Sequence, residues 1–171
     1  IAYVGPRQTV LVDELDAARA YEFQVVSSNS AGKSYSGWTA TSTAEQIPGE
    51  VRPVRGIRAG STFLELQLIE PGDPRGAITE YRVFLGHAEI GTYSTADEIV
   101  IDGLSPDQDY LVGVVACTEV GCSTASEATY TTADGLAAGI GRPHAVSSGD
   151  RTVSVSWEAP NQPNGDVLFY E

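Results

Sequence analysis

Residues 104–123 read LSPDQDYLVGVVACTEVGCS, and a related pattern stands earlier in the chain at residues 15–34, LDAARAYEFQVVSSNSAGKS. At a constant offset of 89 residues, identical residues recur in the pairs Leu15 and Leu104, Tyr21 and Tyr110, Gly32 and Gly121, and Ser34 and Ser123. The same offset joins Pro71, Pro74, Gly76 and Tyr81 to Pro160, Pro163, Gly165 and Tyr170. A period of this length is that of a small domain and is too long for one solenoid unit. We therefore interpret the chain as a tandem array.

The phase of the repeat divides the chain into one whole unit and two parts. Residues 1–45 match the second half of the unit, residues 46–135 are a whole unit, and residues 136–171 match the first half. Because the chain starts at Ile1 and stops within a predicted strand, we expect it to be a piece of a longer protein. The linkers are expected near residues 45–50 and 134–142, and the second is predicted to be looser because it is rich in Gly and Ala.

The middle unit alternates apolar and polar residues in short runs separated by turn residues. Apolar residues recur with period two, the spacing of one strand face, in four runs: Leu64, Leu66 and Leu68; Tyr81 and Val83; Ile99 and Ile101; Tyr110, Val112, Val114 and Ala116. The second of these runs predicts a strand over residues 78–85. No stretch has a helical period over about ten residues. About seven short strands in a unit of this size predict an all-β fold, a small antiparallel sandwich.

The two cysteines, Cys117 and Cys122, flank a predicted turn between the last two strands of the middle unit. The four residues between them end in Gly121, and this length suits a hairpin whose facing Cβ atoms come within disulfide reach. A structural zinc site would need further ligands, and a redox-active pair normally has the Cys-x-x-Cys spacing. We predict a disulfide and, with it, an oxidising compartment.

Both ends of the unit resemble a known domain family. Val153, Val155 and Trp157, followed by two prolines, Gly165 and Tyr170, resemble the opening half of a fibronectin type III domain. The stretch Leu104-x-Pro106-x-x-x-Tyr110, with the alternating apolar run after it, resembles the closing half. The resemblance implies tandem seven-stranded, immunoglobulin-like sandwiches, one complete and two partial.

The resemblance also assigns individual residues. In the family, the Leu…Tyr spacing belongs to a tyrosine corner, whose hydroxyl bonds to upstream backbone. The corner residues would be Leu15 and Tyr21 in the first unit, and Leu104 and Tyr110 in the middle one. The family's core tryptophan is present as Trp157, but the middle unit has Leu68 in its place. We expect a neighbour such as Phe63 or Tyr93 to fill the volume that Leu68 leaves.

The Cys-Thr-x-x-Gly-Cys loop resembles one that recurs in the fibronectin type III repeats of a long extracellular protein of basement membranes and sensory-cell surfaces. This likeness implies a long adhesive array, anchored in a membrane and contacting matrix proteins. Two other motifs are incomplete. Residues 35–39, YSGWT, are a degenerate form of the cytokine-receptor box, with Trp38 expected on a strand at the sheet edge, and Arg75-Gly76-Ala77 lacks the aspartate of an integrin-binding motif.

Charge and composition exclude several function classes. The formal net charge of −13 argues against nucleic acid and against an anionic membrane surface as a direct partner. The acidic clusters, at residues 13–16 and at Asp107 and Asp109, do not have the ligand spacing of an EF-hand, so no metal site is predicted. His87 and His144 lie in separate units, and neither has a plausible nucleophile nearby in sequence. We expect no cofactor and no enzyme activity.

The predicted function is therefore that of a non-catalytic interaction and spacer module at the cell surface or in the extracellular space. Its expected partners are extracellular matrix or cell-surface proteins and the neighbouring domains of its own chain. Two alternatives stay open: a passive spacer in a secreted carbohydrate-active enzyme, and an ectodomain segment of a receptor phosphatase or kinase.

Overall fold

The structure is a computed structural model that describes residues 3–171, and those residues form fourteen β-strands. Four strands lie in the first segment: β1 (Ala20–Phe23), β2 (Val26–Asn29), β3 (Gly32–Tyr35) and β4 (Thr39–Ser42). Eight form the middle unit: β5 (Arg55–Ala59), β6 (Phe63–Gln67), β7 (Glu80–Leu85), β8 (Ala88–Tyr93), β9 (Glu98–Asp102), β10 (Asp109–Thr118), β11 (Gly121–Cys122) and β12 (Ser126–Thr131). Two lie in the last segment: β13 (His144–Ser148) and β14 (Val153–Ser156). Within this described part, no helix is long and apolar enough to cross a membrane.

The middle unit is a sandwich of two antiparallel sheets, and this confirms the predicted all-β fold. One sheet has the order β5-β6-β9, and the other has the order β11-β10-β7-β8 with β12 also paired to β10. The two-residue β11 and the longer β12 follow each other along the same edge of β10, so together they act as one seventh strand.

The core lies between these two sheets, where the period-two alternation predicted it. Leu64 and Leu66 are each 1% exposed, and Val83 and Val114 of the facing sheet are completely buried. Leu68 is also in the core, although β6 ends one residue before it and its amide donates to the carbonyl of Asp97 at 3.1 Å. Side chains from both sheets therefore meet in one apolar layer, which stabilises the sandwich through burial.

Two details of the sheets differ from the sequence prediction. The alternation predicted a strand from residue 78, but β7 starts at Glu80, and Ile78 packs against the core from the preceding loop. The edge strand β8 was not predicted, because its sequence, AEIGTY, has no clear alternation. An edge strand pairs on one side only and is largely exposed here, so its residues carry little hydrophobic pattern.

The end segments reproduce two hairpins of the middle unit. The hairpin of β13 and β14 repeats that of β5 and β6, including a register irregularity between residues 145 and 147 that matches the one between residues 56 and 58. The pairing of β2 with β3 sets Ser28 opposite Lys33, at the positions that Cys117 and Cys122 hold in the middle unit. Strand pairing in these hairpins is thus conserved at the 89-residue offset.

Two tyrosines, the buried Tyr81 and the half-buried Tyr130, predict how stability depends on pH. Burial raises the pKa of Tyr81 and of Tyr130, and the nearby Glu70 carboxylate raises that of Tyr81 further. The folded state therefore holds these protons more tightly than the unfolded state, whose tyrosine pKa is about 10. Their contribution is fully present below that pH and is lost as the pH rises through the higher pKa values of the folded state.

We expect the urea concentration at the unfolding midpoint to decrease as the pH is raised above about 10. The substitution Tyr81→Phe keeps the ring and removes the ionising group, so it should make that decline shallower. An equally steep decline in the Tyr81→Phe variant would contradict this explanation.

Candidate interaction site at the N-terminal pole

Three connections meet at the end of the sandwich that receives the first linker. They are the β6–β7 loop, the β8–β9 loop and the β10–β11 hairpin, and we call this end the N-terminal pole. The β5–β6 turn, the β9–β10 loop and residue 133 meet at the opposite end, the C-terminal pole, through backbone bonds such as Leu104 N–H to the Thr62 carbonyl at 3.0 Å. Loops held by such a scaffold are where β-sandwich proteins carry interaction surfaces.

The β10–β11 hairpin is closed by a disulfide. Cys117 and Cys122 are directly opposite in the register, with their Cα atoms 3.9 Å apart, and their sulfurs are bonded at 2.02 Å. Gly121 has a φ of 152°, which L side chains rarely adopt, so glycine suits this turn. The tip of the hairpin, Glu119 and Val120, is exposed, and the disulfide holds it at a defined position.

Hydrogen bonds anchor the hairpin to the rest of the pole. The Thr79 amide donates to the carbonyl of Cys117 at 2.8 Å, which ties the hairpin to the segment that leads into β7. Thr118 is 5% exposed, and its hydroxyl donates to the carbonyl of Gln46 in the linker at 3.2 Å. Thr118 could not be predicted from the sequence, because a threonine next to a cysteine in a predicted strand carries no signal of a linker contact.

Of the residues assigned to tyrosine corners, Leu104 and Tyr110 lie at the C-terminal pole of the middle unit, and Leu15 and Tyr21 lie in the first segment. The Tyr110 hydroxyl accepts a hydrogen bond from the Ser105 amide at 2.8 Å, and the Tyr21 hydroxyl accepts the equivalent bond from Asp16 at 2.9 Å. Leu104 belongs to the core, and Leu15 is half-buried. The two hydrogen bonds join equivalent residues, because both donor and acceptor are shifted by 89 residues.

We expect Tyr110→Phe to lower the free energy of unfolding of the middle unit by about 1 kcal/mol, because the ring stays and one hydrogen bond is lost. Urea denaturation followed through the NMR amide signals of Val112 and Val114 would measure it. Tyr35→Phe is the matched control, since the Tyr35 side chain is 63% exposed. Equal effects of the two substitutions would contradict a stabilising role for the Tyr110 hydroxyl.

The residues at the core tryptophan position differ between the two units. Leu68 is 2% exposed, whereas Trp157 is 47% exposed, with its ring centre 5.6 Å from that of Tyr170. Of the two neighbours considered for the volume beside Leu68, Tyr93 packs against the core. Phe63 instead lies under the guanidinium of Arg58, 4.9 Å from the ring centre.

The two histidines and the two incomplete motifs lie in four different places in the structure. Among residues 3–171, no group of three or more His, Cys, Asp or Glu side chains could hold a metal ion. His87 lies in an exposed turn, and His144 is exposed at the start of β13. Trp38 was expected on a strand, but it lies between β3 and β4. In the Arg75-Gly76-Ala77 turn, the guanidinium pairs with Asp73 at 2.7 Å.

Comparison with known proteins defines the class. The family model described as "Fibronectin type III domain" matches residues 49–132, the same residues that form the complete sandwich. These residues belong to the fibronectin type III family. The crystal structure of the extracellular region of rat CD45, domains d3-d4, has the same fold, with a TM-score of 0.59 and 16% identity over 76% of this chain and 72% of that one.

The particular relatives are long proteins. Usherin of Homo sapiens is 33% identical over 158 residues, which are 91% of this chain and 3% of usherin. The cell adhesion molecule DSCAML1 of Mus musculus is 27% identical over 184 aligned residues, which cover 97% of this chain and 9% of that protein. Usherin is the long extracellular protein whose repeats the cysteine loop resembles. The chain thus spans only a small part of the relatives it matches.

Proposed function

We propose that this chain is a non-catalytic interaction and spacer segment from an extracellular array of fibronectin type III domains. In this proposal residues 46–135 are one complete domain, residues 1–45 are the later part of the preceding domain, and residues 136–171 are the earlier part of the following one. The observation that carries the proposal is the recurrence of strands, register and hydrogen bonds at one offset on both sides of the complete sandwich. Similarity to usherin and to a cell adhesion molecule supports it.

The expected partners are extracellular matrix or cell-surface proteins. The disulfide supports an oxidising, extracellular compartment, because such bonds persist there and are rare in the cytosol. The surface on which partner binding is proposed is the exposed tip of the disulfide hairpin, where Val120 is 57% exposed beside the Glu119 carboxylate. Holding a loop rigid lowers the entropy lost on binding, and a disulfide does this for the tip.

The test is binding of the chain to immobilised collagen and laminin, measured by biolayer interferometry at physiological salt. We expect saturable binding that Val120→Ala weakens several-fold. The control is Val100→Ala, because Val100 is 58% exposed on β9, away from the pole. A folded chain that binds neither protein would argue against adhesion to these partners and for a passive spacer. Equal losses for both variants would argue against the tip as the contact.

A further inference from the structure

The linker before the middle domain is bound to that domain's N-terminal pole through its backbone. The Gln46 amide donates to the carbonyl of Arg75 at 2.8 Å, and the Gly49 amide donates to the carbonyl of Asp73 at 2.9 Å. Pro48, between them, is buried. Two amides bonded to one loop, with a buried proline between them, give the linker a defined path over the domain.

The disulfide hairpin holds the other side of the same linker. Besides the bond from the Thr118 hydroxyl to the Gln46 carbonyl, the Ile47 side chain packs so close to Gly121 that an added Cβ there would lie 3.0 Å from Ile47 Cγ2. The linker backbone at residues 46–47 therefore lies between the β6–β7 loop and the β10–β11 hairpin. Since the disulfide fixes the hairpin at Cys117, directly before Thr118, it also fixes the donor that holds the linker.

The acidic side chain of Glu45 also contacts the β6–β7 loop. Oε1 of Glu45 accepts a hydrogen bond from the Ala77 amide at 3.2 Å. The Glu45 carboxyl group lies over Gly76, where an added Cβ would be 3.0 Å from Oε2 and 3.1 Å from Cγ2 of Thr118. A side chain at residue 76 would therefore compete with both the linker and the hairpin for the same space. Glycine at residue 76 therefore leaves room for the Glu45 carboxyl group and the Thr118 side chain, and this explains the glycine of the Arg75-Gly76-Ala77 turn without an integrin motif.

The second junction repeats the contacts that the β6–β7 loop makes with the first linker. The Gly135 amide donates to the carbonyl of Asn164 at 2.6 Å, and the Ala138 amide donates to that of Gln162 at 2.8 Å. These two bonds correspond to those of Gln46 and Gly49 at the first junction, because donors and acceptors alike lie 89 residues later. Asp134 lies over Gly165 as Glu45 lies over Gly76, with an added Cβ 2.8 Å from Oδ2. Arg75 and Asn164, whose carbonyls accept the bonds, share a left-handed φ of 51° and 53°.

We propose that the N-terminal pole of the middle domain is a clamp for the linker at residues 45–49. The β6–β7 loop contacts the linker on one side and the disulfide hairpin contacts it on the other. The clamp sets the path by which the preceding domain joins the middle one, and the disulfide holds the β10–β11 hairpin against the linker. The acidic linker residue and the glycine of the β6–β7 loop recur at the second junction as Asp134 and Gly165. This inference rests on the proposed function as an array, and it adds what holds consecutive domains in place.

Amide hydrogen exchange in the full chain, measured by NMR, tests the clamp at its own bonds. We expect the Gln46 and Gly49 amides to be protected, and Thr118→Val to speed their exchange about five- to tenfold, because it removes the hydroxyl that holds the linker and keeps the disulfide. The Gly135 and Ala138 amides serve as internal controls and should not change, since they make the equivalent bonds at the second junction and the Thr118 hydroxyl bonds only at the first. Thr129→Val, at an exposed position of β12, is the matched control variant.

A pair of glycine substitutions tests the contact between the linker and the β6–β7 loop. Gly76→Val is expected to displace Glu45 and to speed exchange at Gln46, whereas Gly72→Val is not, because an added Cβ at Gly72 would have no neighbour within 4 Å. The clamp is overturned if Gln46 and Gly49 exchange as fast as in an unstructured peptide, or if neither Thr118→Val nor Gly76→Val changes them. Matrix binding by a chain with unprotected linker amides would support the proposed function and refute only the clamp.

Discussion

Replacing Leu66 with alanine is expected to lower the free energy of unfolding of the middle domain by about 2–5 kcal/mol. Leu66 lies on the central strand of its sheet, between β5 and β9, and is 1% exposed against the facing sheet. Removing its branched end loses buried apolar surface and leaves a cavity that neighbours anchored in two sheets cannot close. The loss is a large part of the stability of a small domain, which is about 5–15 kcal/mol in all.

The measurement has to report on the middle domain alone. Both tryptophans, Trp38 and Trp157, lie outside it, so tryptophan fluorescence is unsuitable. Urea unfolding followed through the amide signals of Val112 and Val114 reports on the core of this domain. The control Leu111→Ala makes the same chemical change at a side chain that is 38% exposed, and it should have a small effect. Similar losses in the two variants would contradict the packing described for Leu66.

Replacing both cysteines with serine is expected to lower the free energy of unfolding by about 2 kcal/mol, because the bond closes a short loop and restricts the unfolded chain. Cys117 is 3% exposed, so the substitution also places a hydroxyl in the apolar interior beside β7. The same urea experiment measures the change. We expect the tip at residues 119–120 to become mobile and the sheets to stay intact.

Reduction supplies the control for the cysteine variant. Treating the unaltered chain with dithiothreitol should shift its unfolding midpoint in the same direction, because it breaks the same bond. The doubly substituted variant should not respond to dithiothreitol at all. A midpoint that is equal in the unaltered, the reduced and the substituted chain would show that the disulfide does not stabilise the domain.

Much of the fold could be predicted because its signals are local. Alternation of buried and exposed residues follows from the geometry of a strand, so the inward positions of β6, β7, β9 and β10 were predicted from spacing alone. A hairpin of six residues places its ends side by side, which made the Cys117–Cys122 bond predictable. The edge strand β8 was not, because an exposed edge imposes no alternation on its residues.

The proposed interaction site was predictable only in part. The cysteines identified the hairpin, but nothing in the sequence connects Thr118 to Gln46, which lies 72 residues earlier. The pairing of Glu45 with Gly76 is visible as a repeat, since Asp134 and Gly165 stand at the same offset. Without the fold, however, those matches could equally reflect two independent features of the repeat unit.

The sequence by itself determined the repeat, the sandwich class and the cysteine pair, because each depends on residues close together or on a spacing that a strand imposes. Only the tertiary structure decided that the disulfide hairpin and the β6–β7 loop meet on the linker. That contact requires two sheets to pack so that connections distant in sequence arrive at the same pole, where hydrogen bonds such as Thr118 to Gln46 can form. Distances between such loops are set by packing of the whole core, and no local pattern encodes them.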